Sequence, residues 1–178
     1  MWLAHALTLV RIPLAALFWF VATDRVWGAV VIGVAALTDV LDGRVARRAL
    51  RRGATGHAAE AGAWLDPLCD KLFAVTVLVA LAVRVDTPIG MLALVATREL
   101  VVGPLAIAYR MMPSRQRYQW DFHASRAGKH ATVAQFVAVT AFVVALPGAA
   151  VLAVVAAAFG LVAVVGYVRR AARVFTST

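Results

Sequence analysis

Acidic residues are scarce in this chain and cysteine is nearly absent. Nine Asp and Glu stand against 18 Lys and Arg, a formal net charge of +9. The one cysteine, Cys69, excludes an internal disulfide and any cysteine-rich zinc site, and fits a cytosolic or membrane location. Charged residues make up only 15% of the sequence, well below the usual share in soluble domains. No repeat and no low-complexity linker divides the chain. The first apolar run, LAHALTLVRIPLAALFWFVA, lacks a basic leading region and a small-residue cleavage site, so it is expected to remain as a span rather than be removed.

What fills the sequence instead is apolar. Hydrophobic residues reach 63% and the mean hydropathy is +0.84, which predicts an all-α, polytopic membrane protein. A bilayer core of about 30 Å needs roughly 20 helical residues per crossing. Six stretches qualify: Trp2 to Ala22, Val26 to Leu41, Pro67 to Val83, Pro88 to Tyr109, Ala131 to Leu146 and Gly148 to Val168. The second is short in apolar residues, so its helix must continue into the charged segment that follows it.

The basic excess could in principle serve nucleic acid, but it sits in short blocks between apolar runs, the pattern expected beside an anionic leaflet. Arg44, Arg47, Arg48, Arg51 and Arg52 follow the second span. Arg110, Arg115, Arg117, Arg126 and Lys129 follow the fourth, and Arg169, Arg170 and Arg173 the sixth. By the positive-inside rule both termini and the two basic loops are cytoplasmic, in one six-helix membrane domain over residues 1–178 that interacts with membrane lipids and not with nucleic acid. Residues 111–126 read as a cytoplasmic loop with Tyr118, Trp120 and Phe122 at the interface.

Within the segment DVLDGRVARRALRRGATGHAAEAGAWLDPLCDK lie four aspartates in two pairs. Asp39 and Asp42 are three apart, and Asp66 and Asp70 four apart, so on helices each pair projects from one face. If the two helices are neighbours, four carboxylates converge, and near lipid they would repel and lose hydration unless a positive charge offsets them. Donors that are all oxygen suit hard divalent cations, here two Mg²⁺ or Mn²⁺, and such pairs of ions clamp phosphate or pyrophosphate oxygens. Gly43 lets a bulky anion approach the backbone, and Arg47 lies one turn beyond it with a guanidinium suited to phosphate. Cys69 reads as a small apolar filler facing away from the aspartates. His57, His123 and His130 read as loop or boundary residues rather than ligands. A buried Arg11 in the first span reads as a structural partner for the site.

The pattern Asp39, Asp42, Gly43, Ala46 and Arg47, then Gly62, Asp66 and Asp70, resembles the signature of the CDP-alcohol phosphatidyltransferases. Within that family, GAWLDPLCDK, ALTLVRI, TREL and GKHATVAQ look like the branch of phosphatidylglycerophosphate synthases and cardiolipin synthases. Two features depart from the pattern: 14 residues separate Arg47 from Gly62, a longer spacer than is usual, and His5 stands where the branch often has Asn.

The resemblance implies that an acceptor hydroxyl attacks the lipid-proximal phosphorus of CDP-diacylglycerol and that CMP leaves. On that view Asp39, Asp42, Asp66 and Asp70 hold the metals, Asp70 is also the general base, and Gly43, Arg47 and Gly62 receive the nucleotide pyrophosphate. A phosphorylated alcohol needs further cations, for which Arg98, Lys129, Arg110 and Arg115 are the candidates; an arginine inside a span, as Arg98 is, must pair with Glu99, an aspartate or a ligand phosphate. Glycerol 3-phosphate is the expected acceptor, with phosphatidylglycerol and inositol phosphate as alternatives. A homodimer is common in the family, and a bacterial inner membrane with a cytoplasmic active site is the expected location. A membrane prenyltransferase and a divalent-cation transporter are the rival classes. The first leaves Asp-Gly-x-x-Ala-Arg unexplained, and the second predicts inverted repeats, of which the sequence shows none.

Overall fold

The computed structural model describes residues 9–51, 57–111 and 126–176, with side chains described in 9–41, 69–105 and 127–169. Among the described residues every regular element is an α-helix, as the composition predicts. In chain order these are α1 (Arg11–Val21), α2 (Arg25–Arg51), α3 (His57–Arg84), α4 (Ile89–Val95), α5 (Thr97–Met111), α6 (Arg126–Val143) and α7 (Ala149–Thr176). They fall into two compact units, Met1–Thr87 with Val143–Ala145, and Pro88–Phe142 with Leu146–Thr178.

In the first unit α1 packs on both α2 and α3. Its buried positions, Arg11, Ala15, Phe18 and Ala22, recur every three or four residues and so form one stripe along the helix. The facing stripes are Val31, Ile32, Ala35 and Thr38 on α2 and Cys69, Phe73, Val77, Ala80 and Leu81 on α3. Asp24 caps α2: its Oδ1 accepts hydrogen bonds from the backbone N–H of Val26 at 2.9 Å and of Trp27 at 3.0 Å, partners the first turn otherwise lacks. The helix then runs without a break through Asp39, Asp42 and Gly43 to Arg51, carrying the second span into the charged segment as expected. Helix α3 begins at His57, well before the Pro67 at which the apolar run starts, so the stretch ahead of Asp66 and Asp70 is helical too.

In the second unit α7 packs on α4 and α5. The run Pro88 to Tyr109, expected as one span, is instead two helices that part at Ala96, where φ is −86° and ψ is 6°. At the junction the Thr97 hydroxyl donates to the carbonyls of Leu94 at 2.7 Å and Ala93 at 3.2 Å, a back-bond that bends helices without by itself ending them, since Thr132 and Thr140 make the same bond inside the unbroken α6.

Helix α7 shows most clearly what solvent the fold is built for. Its buried stripe is Ala149, Ala153, Ala156, Ala157 and Ala163, whereas Val151, Val154, Phe159, Leu161, Val162 and Val165 point outward. Small residues inside and large apolar residues outside is the arrangement of helices that pack closely in lipid, where outward burial of large side chains carries no penalty. Over Ala149–Arg169 this helix has a mean hydropathy of 2.6, and among the described residues it is the one helix both long and apolar enough to cross a bilayer. Helices α2 and α3, of 27 and 28 residues, have the length but carry charge within it, Asp39, Asp42 and the arginines from Arg44 on in α2, and Glu60, Asp66, Asp70 and Lys71 in α3.

Candidate functional site

The buried stripe of α1 ends, at its first turn, in an arginine. Arg11 is 4% exposed, and the same periodicity that turns Ala15 and Phe18 into the first unit's core carries its side chain there as well. A charge so placed is tolerated only when paired. Asp39 and Asp70 supply the pairing. Arg11 Nη2 donates to Asp39 Oδ1 at 2.8 Å, and Arg11 Nη1 pairs with Asp70 Oδ1.

Each aspartate sits one residue past a buried position, Asp39 after Thr38 on α2 and Asp70 after Cys69 on α3. Packing of those neighbours aims both carboxylates at the rim of the three-helix core. Their side chains are 43% and 48% exposed, against 5% for Arg11. The guanidinium therefore approaches from the core side while both carboxylates keep an open side. Oδ1 of each is taken by Arg11, and among the described residues Oδ2 of each has no protein partner. One carboxylate from each sequence pair has thus been brought to a single cation on another helix, Asp39 lying 28 residues beyond Arg11 in the chain and Asp70 further still.

The backbone is helical at Asp42, Gly43, Arg47, Gly62 and Asp66, which keeps the three- and four-residue spacings on helices; their side chains lie outside the described residues, as does that of Arg110. Arg115 lies outside the described residues altogether. Among the described residues no three acidic, histidine or cysteine side chains come together. The donor chemistry nevertheless fits a hard divalent ion: two half-exposed carboxylates, each with an uncommitted oxygen, on helices that also carry Asp42 and Asp66. Cys69 is a buried free thiol, in keeping with its expected role as core filler. His130 lies against the ring of Phe159, with centroids 6.3 Å apart, rather than among carboxylates.

The second unit holds a separate polar network. Arg98, at the start of α5, donates from Nε at 2.8 Å and from Nη2 at 2.5 Å to Glu99 Oε1. Its Nη1 donates to the Gly128 carbonyl at 3.0 Å and to the Thr132 hydroxyl at 2.6 Å, both on α6. Gln135, one turn further along α6, donates to Glu99 Oε2 at 2.9 Å. The partner that Arg98 requires is therefore Glu99, together with two polar groups of the next helix, the Gly128 carbonyl and the Thr132 hydroxyl. Lys129 is exposed beside Gly128. Helix α7 reaches this network through Gly160, where an added Cβ would stand 3.4 Å from the Arg98 backbone nitrogen and 3.5 Å from its Cβ. In the sequence TREL and GKHATVAQ stand apart, with nothing to join them to each other or to Gly160. The signal for Gly160 was available in the small residues recurring at three and four along α7.

Residues 1–166 match the CDP-alcohol phosphatidyltransferase family. Two curated relatives, from two strains of Mycobacterium tuberculosis and each described as "Probable phosphatidylglycerophosphate synthase", are 33% identical over 184 aligned residues, covering 96% of this chain and 82% of theirs.

Proposed function

The chain belongs to the CDP-alcohol phosphatidyltransferase family, and we propose that it transfers the phosphatidyl group of CDP-diacylglycerol to glycerol 3-phosphate, releasing CMP and forming phosphatidylglycerophosphate. The observation that carries the reading is the meeting of Asp39 and Asp70, members of the two halves of the family signature, on one buried arginine. The choice of acceptor is supported by the likeness to the mycobacterial relatives and by the branch motifs around Asp70 and Lys129.

In the proposed reaction the acceptor oxygen forms a bond to the lipid-proximal phosphorus. The bond from that phosphorus to the bridging oxygen breaks, and CMP leaves with the bridging oxygen. Asp70 accepts the proton of the attacking hydroxyl, for which it must be the least metal-engaged of the four aspartates. Asp39, Asp42 and Asp66, with Asp70 completing the set, would hold two Mg²⁺ or Mn²⁺. When bound, these ions offset the charge of the pyrophosphate and of the departing CMP. Gly43 and Gly62 leave room at the helix surface for the pyrophosphate, and Arg47 donates to its oxygens.

For the acceptor phosphate, Lys129, Arg110 and Arg115 are the cations we assign. Arg98 makes four donor contacts within the protein and acts through the position it gives Gly128, the residue before Lys129. Six spans with both termini and the site on the cytoplasmic side of a bacterial inner membrane complete the proposal.

Purified protein in mixed micelles with CDP-diacylglycerol and glycerol 3-phosphate should release CMP with Mg²⁺ or Mn²⁺ and cease on chelation with EDTA. Metal flux into liposomes without any CMP release would favour the transporter class instead.

A further inference from the structure

Arg11 has no part in the proposed reaction, yet it is the most buried charged side chain described in either unit and it holds both halves of the aspartate site. We infer that Arg11 is the resident cation of that site. It supplies the positive charge that lets the metal-free protein fold with Asp39 and Asp70 gathered. This inference rests on the reading of those aspartates as ligands of a divalent cation.

Three observations carry it. First, the guanidinium lies on the core side, 5% exposed, and the carboxylates are 43% and 48% exposed, so Arg11 does not occupy the face from which an ion would enter. Second, it engages one oxygen of each carboxylate, Oδ1 in both cases, leaving Oδ2 of each without a protein partner among the described residues. A competitor for the metal would be expected to cover both oxygens. Third, it uses two different nitrogens, Nη1 for Asp70 and Nη2 for Asp39, so that the rigid planar fork fixes the two carboxylates at separate positions, where an ammonium would gather both on one atom.

The consequence is a fold that does not depend on its metal. Two carboxylates drawn together from different helices at the rim of an apolar core repel, and among the described residues no other cation pairs with either, so with Arg11 removed a bound ion takes over the offset. Arg11→Met keeps the length and apolar stem of the side chain and deletes the charge. Arg11→Lys keeps the charge and loses the fork.

The test measures thermal unfolding of the full-length detergent-purified protein in EDTA and in saturating Mn²⁺, alongside Mn²⁺ binding by electron paramagnetic resonance. In EDTA, R11M is expected to melt below the wild type by on the order of 5–10 °C, with R11K between them. Mn²⁺ is expected to close most of that gap, which lost packing alone would not allow. If R11M cannot be purified, the triple variant R11M/D39N/D70N should be, with an unfolding temperature indifferent to Mn²⁺, because the uncompensated charges have gone with the arginine.

A wild type that binds Mn²⁺ beside an R11M gap that Mn²⁺ leaves open, an R11M that melts with the wild type in EDTA, or a triple variant that also fails to purify would each overturn the inference alone. A wild type that binds no Mn²⁺ would overturn the reading of the aspartates as ligands, and the inference with it.

Discussion

Asp70 and Asp39 share one arginine but not one role. Both give Oδ1 to Arg11, yet only Asp70 is assigned the acceptor proton, and the two can be separated by substitution. Asparagine at position 70 keeps the shape and can still accept from Arg11, but it cannot take a proton. Asp70→Asn is expected to lower the rate of CMP release by at least about 10²-fold, the usual contribution of a general base, while bound Mn²⁺ remains detectable through Asp39, Asp42 and Asp66. A variant that turns over at the wild-type rate would move the base elsewhere. At this scale much was legible in the sequence. The spacing of the aspartates announced shared helix faces, and an arginine in the first apolar run announced a partner, because a lone guanidinium there has too high a desolvation cost to stay unpaired. Which carboxylates it would take was not legible, since that depends on how α1 packs against both α2 and α3.

Between elements, the polar network of Arg98, Glu99, Gly128, Thr132 and Gln135 fastens α5 to α6. Gln135 matters because Glu99 is only 27% exposed and relies on protein donors for both oxygens. Replacing it by leucine leaves Glu99 Oε2 without that donor. Gln135→Leu is expected to cost about 1–3 kcal/mol of stability, read from denaturant or thermal unfolding, and a variant as stable as the wild type would show that the network does not hold these helices. The sequence foretold the helix through Asp39 and Asp42 because apolar content ran out before a bilayer was crossed. It did not foretell the break at Ala96. Hydropathy treats Thr97 as mildly polar, and the apolar residues on both sides of Ala96 carry no sign of the interruption. Nor could it pair TREL with GKHATVAQ, since hydrogen-bond partners 30 or more residues apart leave no periodic trace.

Taken as a whole, the chain is all-helical where described, matches one family over residues 1–166, and carries on α7 the small-inside, large-outside order of a helix surrounded by lipid. On α2 a basic block and two aspartates occupy the same end of one helix, Asp39 and Asp42 being followed by Arg44, Arg47, Arg48 and Arg51. The central claim is the reaction and its acceptor, and product identity tests it most directly. The purified protein would be given CDP-diacylglycerol and Mg²⁺ with equal concentrations of glycerol 3-phosphate, phosphatidylglycerol and inositol phosphate, and the lipids separated and weighed by mass spectrometry. Phosphatidylglycerophosphate as the dominant product, formed mole for mole with CMP, is the predicted result; cardiolipin or an inositol phospholipid in its place, or no CMP at all, would contradict it.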